Sequence, residues 1–414
     1  MKKILIIGNS IKEYTLAKYL SNIADVYVAS GSENLKGVAT VVDIREDSVS
    51  ELLEFVMENG IDLTMAFSKK TLQSDIVSVF TNNNQQIFAP QEKSSRIVFD
   101  KAFAKKILYK LRVSTPKFGI FEKQSMAVDY VKNQKSPFVI KTNDDFSAIV
   151  LTSPLQAKTI LDSMFAEKNQ KVIIEDYVWG TPFSFYTLTD GYKALPLGSS
   201  IVYKHTLEGD GGQLTSGMGA CSPNYRLSEE NEYYLMDNVI YPTLDMLEIE
   251  GNPYVGVLGV NGIITDDGRL QVLGYQSFMQ DVDCQSILDV LDDNFLDLCE
   301  ACVIGSFSDE VEFVKQKNIA SVSIALHCNN KENVQNIVYG IDNLDETTSV
   351  AFYPNIKKNR YLEFEAQKGP VMILSATART VNTACEKVYS EVVEINFKGM
   401  TYRKDICKPI KSVI

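Results

Sequence analysis

The chain has 414 residues, 45% hydrophobic and 23% charged, with a net charge of −12 and an isoelectric point near 4.9. That composition describes an ordinary soluble protein of more than one domain. The acidic balance argues against a nucleic-acid surface, which shows as a basic excess. No stretch approaches the roughly 20 apolar residues of a membrane helix, and the apolar run in Met1–Gly8 is too short for a secretion signal. The seven cysteines form no disulfide framework, and His205 and His327 alone exclude a histidine-rich metal site. A reduced, cytoplasmic protein is expected.

Residues 3–8 form a continuous apolar run, as expected of a buried parallel strand. A Gly8-Asn9-Ser10 turn leads into a helix from Ile11 to Leu20. Strands follow at Val26–Ala29 and Val38–Asp43, then an amphipathic helix over Ser48–Asn59 and a strand over Ile61–Ala66. This alternation predicts a doubly wound parallel sheet. Only Gly8 stands in the first turn, so the glycine fingerprint of dinucleotide binding is missing. Asp100–Ile107 starts a helix, Ser125–Asn133 is another, and Pro137–Lys141 is a strand.

Val172–Val178 is a strand-like run ending in acids, and Phe183–Thr189 is a second strand. Asp190-Gly191 is a hairpin signal. A glycine-rich stretch follows, Glu208–Gly212 and Thr215–Pro223, read as an irregular loop. Paired acids, a hairpin and a glycine-rich loop suggest phosphate handling, because backbone amides in such a loop can point at anions. Tyr233–Leu247 is an amphipathic helix, and strands follow at Tyr254–Leu258, Asn261–Ile264 and Leu270–Tyr275. Cys299 and Cys302 have redox or metal spacing, but no second pair accompanies them, and a buried helical face is the simpler reading. The remainder carries strands at Ile319–Leu326 and Val371–Ser375 and a helix at Thr380–Tyr389, with Asn333–Tyr339 leading to another strand.

Two segments carry a resemblance. Ile174-Glu-Asp-Tyr-Val-Trp-Gly-Thr-Pro-Phe-Ser184 and Gly212-Gln-Leu-Thr-Ser-Gly-Met-Gly-Ala-Cys-Ser-Pro223 resemble the I-E-E-F-L-x-G-E-E-A-S hairpin and the G-P-N-T-G-G-M-G-A-Y-S-P loop of the phosphoribosylamine–glycine ligase (glycinamide ribonucleotide synthetase) family. Phe397–Ile406 is similar to its closing F-x-G-M-x-Y-R-x-D-I-G motif, with Cys407 in place of the last glycine. The resemblance implies an α/β, ATP-grasp fold with three parts. These are an N-terminal doubly wound domain (1–99), a grasp domain (100–318, lid about 118–188) and a small C-terminal α+β domain (319–414).

The family joins glycine to 5-phosphoribosylamine, with ATP and magnesium (or manganese), to give glycinamide ribonucleotide, ADP and phosphate in purine synthesis. By that resemblance Lys101, Lys141, Glu175 and Val178 contact ATP. Gly8, Asn9, Lys12 and Glu13, with Gly217, Met218 and Gly219, contact substrate, while Lys204 and Asp210 act in catalysis. A structural turn is an equal reading of Gly217–Gly219.

Several family positions have changed. The glycine loop after Lys141 reads Thr142-Asn-Asp-Asp-Phe-Ser147, with no glycine and two added carboxylates, which repel a triphosphate. At the metal motif the ligand Glu is Gly274, the ligand Asn is Gln276 and the Arg is Phe278. Gln276 is left as the candidate metal ligand, though magnesium wants hard anionic oxygens. The G-P-E-x-P-L motif has become Phe67-Ser-Lys-Lys-Thr-Leu72. Chemistry at these positions weighs against normal turnover. Two alternatives to the ligase stand beside it. One is a non-catalytic descendant binding a nucleotide, a purine intermediate or a protein partner; the other is a ligase for another carboxylate and amine. Neither nucleic acid nor membrane is an expected partner.

Overall fold

A computed structural model describes residues 1–143, 148–166, 171–307, 314–330 and 336–408. The two added carboxylates, Asp144 and Asp145, therefore lie outside the described residues. At the N-terminus five parallel strands run β1 (Lys2–Ile7), β2 (Ala24–Ala29), β3 (Thr40–Val42), β4 (Leu63–Ala66) and β5 (Ile87–Phe88), in the order β3-β2-β1-β4-β5. Ile4, Leu5, Ile6 and Ile7 are all fully buried because helices cover both faces of β1. Burial of each such side chain contributes roughly 1.5–3 kcal/mol, so an Asp at Ile6 would break the centre of the sheet. Helix α1 (Ile11–Leu20) is started by a reciprocal cap. The Ser10 amide donates to Glu13 Oε2 at 2.9 Å, and Ser10 Oγ donates to the same carboxylate. Gly8 sits at φ +141°, and a Cβ there would lie 2.9 Å from the Glu13 carboxyl. Helix α2 (Val49–Asn59) covers the other face.

A four-stranded antiparallel sheet follows, comprising β6 (Phe118–Phe121), β7 (Phe138–Thr142), β8 (Ala148–Leu151) and β9 (Val172–Asp176), in the order β6-β9-β7-β8. Its strands and the helices Gln124–Lys132 and Pro154–Met164 close a small core of their own, with Phe138, Ile140, Leu161 and Ile174 at its centre. The lid thus ends at Asp176. Strand β10 (Thr181–Asp190), placed in the lid by the sequence division, pairs on both sides within the main sheet instead.

That main sheet contains β10, β11 (Ala194–Leu207), β12 (Gly211–Ser222), β13 (Val255–Ile264), β14 (Leu270–Gln276), β15 (Ala320–Cys328) and β16 (Ser349–Phe352). The order is β14-β13-β10-β11-β12-β15, then the strand Gly369–Ala378, then β16. The segment after 318 is joined to the grasp core through the β12·β15 ladder, Gly219 to Ser222 against Ile324 to Ser321.

The glycine-rich stretch expected to be an irregular loop is β12. Its residues 219–221 pair with Tyr203, Val202 and Ile201 on one side, and residues 219–222 pair with β15 on the other. Backbone amides between two strands belong to the ladder, so they do not cradle an anion. Gly217, at φ +142°, lies where a Cβ would meet Val282 Cγ2 at 2.3 Å, and a Cβ on Gly219 would meet Ser323 O at 2.7 Å. Close packing is what these glycines serve, Gly217 under the helix Asp281–Val290 and Gly219 against β15 and Ile406. Gly217→Ala should lower stability by about 2 kcal/mol or more through overpacking and backbone strain. An unchanged urea midpoint would show that the packing there is looser than described.

Candidate functional site

The C-terminal ends of the parallel strands, the lid and the edge of the main sheet enclose one large cleft of about 1410 Å³. On its lid side, Lys101 opens the helix Lys101–Lys110, whose first turn is capped by Asp100 Oδ1 accepting from the Phe103 amide at 2.8 Å. Lys105 lies one turn further, on the same face as Lys101. Its Nζ sits 2.8 Å from Glu175 Oε2 and donates to Thr115 Oγ1 at 2.8 Å. Lys141 on β7 pairs with the other oxygen of Glu175. Lys141 stands opposite Ile173, which makes Glu175, two residues along β9, its diagonal neighbour on the same face.

Glu175 is 1% exposed and Lys105 2%. Burial alone would push the Glu175 carboxyl up, yet the charges of Lys141 and Lys105 hold it at about 2. Burial pushes Lys105 down to about 8, against the attraction of Glu175. Lys101, Lys141, Glu175 and Val178 all line the cleft, Val178 in the connection between β9 and β10, as does Lys105, which the sequence reading passed over. The available signal was the four-residue spacing from Lys101.

On β14, the edge strand of the main sheet, stand Gly274 and Gln276, two positions of the expected metal motif. Gly274 has no side chain, and a Cβ there would meet nothing closer than Asn261 Oδ1 at 3.7 Å, so the space is open. Gln276 is 7% exposed, with Oε1 buried and without a hydrogen-bond partner. Asp283 is not available to complete a site. It accepts from Tyr186 Oη at 2.9 Å, Ser200 Oγ at 2.8 Å and the Gln280 amide at 2.6 Å. Burial pushes its carboxyl up to about 6 in spite of those donors. Asp281 is raised by burial too, with Lys12 opposing the rise, and faces Lys12, Glu13 and Ser216. No group of three His, Cys, Asp or Glu side chains able to hold a metal occurs among the described residues. A neutral amide beside a glycine does not fit magnesium, which wants anionic oxygens.

Phe278, at the Arg position, stacks on Phe67 with ring centroids 3.7 Å apart and an interplanar angle of 23°. Both rings line the cleft and are 1% and 3% exposed. Phe88 and Phe295 pack edge-on around them. Together these rings make an apolar plug in the cleft wall.

On the substrate side Asn9, Lys12 and Glu13 line the cleft, whereas Gly8 lies behind the helix cap. Lys204 lines it from β11; burial pushes its ammonium down, with Asp283 opposing and Lys141 adding to the shift. Asp210 reaches the cleft wall but is held by Arg403, whose Nη1 is 2.7 Å from its Oδ1. Arg403, 2% exposed, also grips Asp405 at 2.7 Å, and Asp405 accepts from the Gly209 amide at 2.8 Å. Asp210 therefore serves as an anchor for the β11–β12 turn. Gly217, Met218 and Gly219 are not among the lining residues, because they are packed within the sheet.

Two outcomes follow from these charges. Glu175→Gln leaves the buried Lys105 and the half-buried Lys141 without their carboxylate and should cost about 3 kcal/mol in urea unfolding; a loss under 1 kcal/mol would mean that the cluster is solvated. The raised Asp283 carboxyl contributes stability that is fully present below about pH 3.8 and is lost as pH rises through about 6. Wild type should therefore lose stability relative to Asp283→Asn across that interval, and a flat difference would place Asp283 in water.

Comparison with known proteins follows the geometry. Residues 2–97 match the phosphoribosylglycinamide synthetase N domain, and residues 99–284 match the ATP-grasp (A) domain of the same enzyme family. A phosphoribosylamine–glycine ligase of Caldanaerobacter subterraneus subsp. tengcongensis is 26% identical over 98% of this chain and 99% of its own length. That of Clostridium acetobutylicum is 28% identical with the same coverage. Among solved structures, the phosphoribosylamine–glycine ligase of Thermotoga maritima superposes with a TM-score of 0.80 at 19% identity, covering 97% of this chain and 99% of the other. A biotin carboxylase of Campylobacter jejuni gives 0.73 at 12% identity, covering 97% of this chain and 92% of the other. These structural likenesses bear on the fold, which is ATP-grasp. The chain belongs to the phosphoribosylglycinamide synthetase family of purine biosynthesis.

Proposed function

We propose that this chain is a binding member of the family: its cleft takes a phosphate-bearing ligand of the nucleotide or ribosyl phosphate class and does not carry out magnesium-assisted phosphoryl transfer. One observation carries this reading. The end of the cleft where the metal would sit offers an empty Gly274 and the neutral Gln276, with Asp283 consumed by Tyr186, Ser200 and the helix cap. Transfer of a phosphoryl group to a carboxylate builds charge that needs a cation held by anionic ligands. Lys101, Lys141, Lys204 and Lys12 around one cleft support retention of an anionic ligand.

Those same lysines favour the second reading, an active ligase. It would join glycine to 5-phosphoribosylamine with cleavage of ATP, giving glycinamide ribonucleotide, ADP and phosphate. The two separate on turnover. Purified protein given ATP, magnesium, glycine and 5-phosphoribosylamine is expected to release no phosphate above a no-enzyme control. Steady release of phosphate coupled to glycinamide ribonucleotide would establish the ligase instead. Gly274→Glu combined with Gln276→Asn should introduce magnesium-dependent ATP binding, since the space at 274 admits a side chain. If binding stays indifferent to magnesium in that variant, the metal end is not the only altered part.

A further inference from the structure

Three cysteines far apart in sequence meet beneath the cleft wall. Cys221 lies in β12, Cys385 in the helix Val381–Val392, and Cys407 follows the Arg403–Asp405 segment. The Cys407 thiol lies close enough to those of Cys221 and Cys385 for both, together with burial, to push its ionisation well up. Cys385 Sγ also donates to the Ile406 carbonyl at 3.3 Å, which brings it against the residue next to Cys407. The Cys407 amide donates to Tyr203 Oη at 3.1 Å, so the segment is pinned to β11 as well. Cys221 is fully buried, whereas Cys385 and Cys407 are half-buried. Cys407 has φ +67°, a left-handed backbone that favours glycine, and yet carries a thiol there.

We propose that Cys385 and Cys407 are a reversible oxidation site that reacts with low-molecular-weight disulfides. Cys385 is the attacking sulfur: its hydrogen bond from Cys407 and the nearby Lys408 charge favour the thiolate, and it is reachable from solvent. The Cys385 thiolate displaces one thiolate from the small disulfide and forms a mixed disulfide. The Cys407 thiol gives up its proton to that released thiolate, then attacks the Cys385 sulfur and expels the second small thiol. Two protein thiols are oxidised to one S–S bond and one small disulfide is reduced to two thiols. The new bond ties the helix Val381–Val392 to the segment whose Arg403 and Asp405 hold Asp210 and Gly209 at the cleft. The Cys299 and Cys302 pair, which has the familiar redox spacing, does not take this role. Both thiols are buried in a helical face at 0% and 1% exposure, and burial pushes both up.

The full-length reduced protein, incubated with glutathione disulfide, should lose about 2 Da in intact mass, with no retained adduct. Non-reducing peptide mapping should join the Cys385 peptide to the Cys407 peptide. Cys407→Gly suits the left-handed backbone, so it keeps the fold while removing the second thiol. It should instead trap a mixed disulfide on Cys385, a gain of about 305 Da. Cys299→Ser with Cys302→Ser should oxidise as wild type does. Absence of oxidation, a bridge through Cys221, or an adduct on any other cysteine in the Cys407→Gly variant would each overturn the assignment.

Discussion

One buried carboxylate sets the character of the cleft. Glu175 is enclosed between Lys105 and Lys141, and its charge persists because both cations are within contact distance. Removing either partner leaves an uncompensated charge out of water, which is far more costly than replacing the whole cluster by apolar groups. The lid and the helix Lys101–Lys110 are therefore tied together electrostatically, through strands β7 and β9 on one side and that helix on the other. The consequence for binding is direct. Lys141 cannot turn fully toward a phosphate without sharing its charge with Glu175, so it offers an anionic ligand only part of that charge.

The opposite end of the cleft has been rebuilt in the other direction. There is open space at Gly274, and Phe67 and Phe278 stack in the cleft wall. These two rings come from different domains, and each fills room that the other needs filled. Packing of this kind contributes through area burial and the aromatic geometry, about 0.5–1.5 kcal/mol beyond area. It stabilises the junction of the N-terminal sheet with the core at a place where charge would otherwise be needed for chemistry. The cleft is thus lined both by lysines and by this apolar stack.

Much of the frame was legible in the sequence because it depends on local patterns. The run Ile4–Ile7, the turn at Gly8 and the alternation through Ala66 led to the parallel sheet that is present. The motif residues Lys101, Lys141 and Glu175 do converge on one cleft. What escaped depends on contacts between distant segments. The glycines of 211–219 suggested a loop, but the hairpin with β11 and, from Gly219 on, pairing with β15 made them strand, while close contact with Val282 explains why 217 is glycine. Asp210 lines the cleft, and its ion pair with Arg403, nearly two hundred positions away, leaves no local trace. Lys105 and the meeting of Cys221, Cys385 and Cys407 are likewise products of the fold and leave almost no local trace.

The most direct test of this account is calorimetric titration of the unmodified protein with ATP, once in magnesium and once in EDTA. A cleft that binds through lysines without a metal site predicts the same affinity in both, within about threefold once magnesium's own effect on the nucleotide charge is allowed for. Tightening by about a hundredfold in magnesium would contradict it, since that gain requires protein ligands to the ion that Gly274 and Gln276 do not supply.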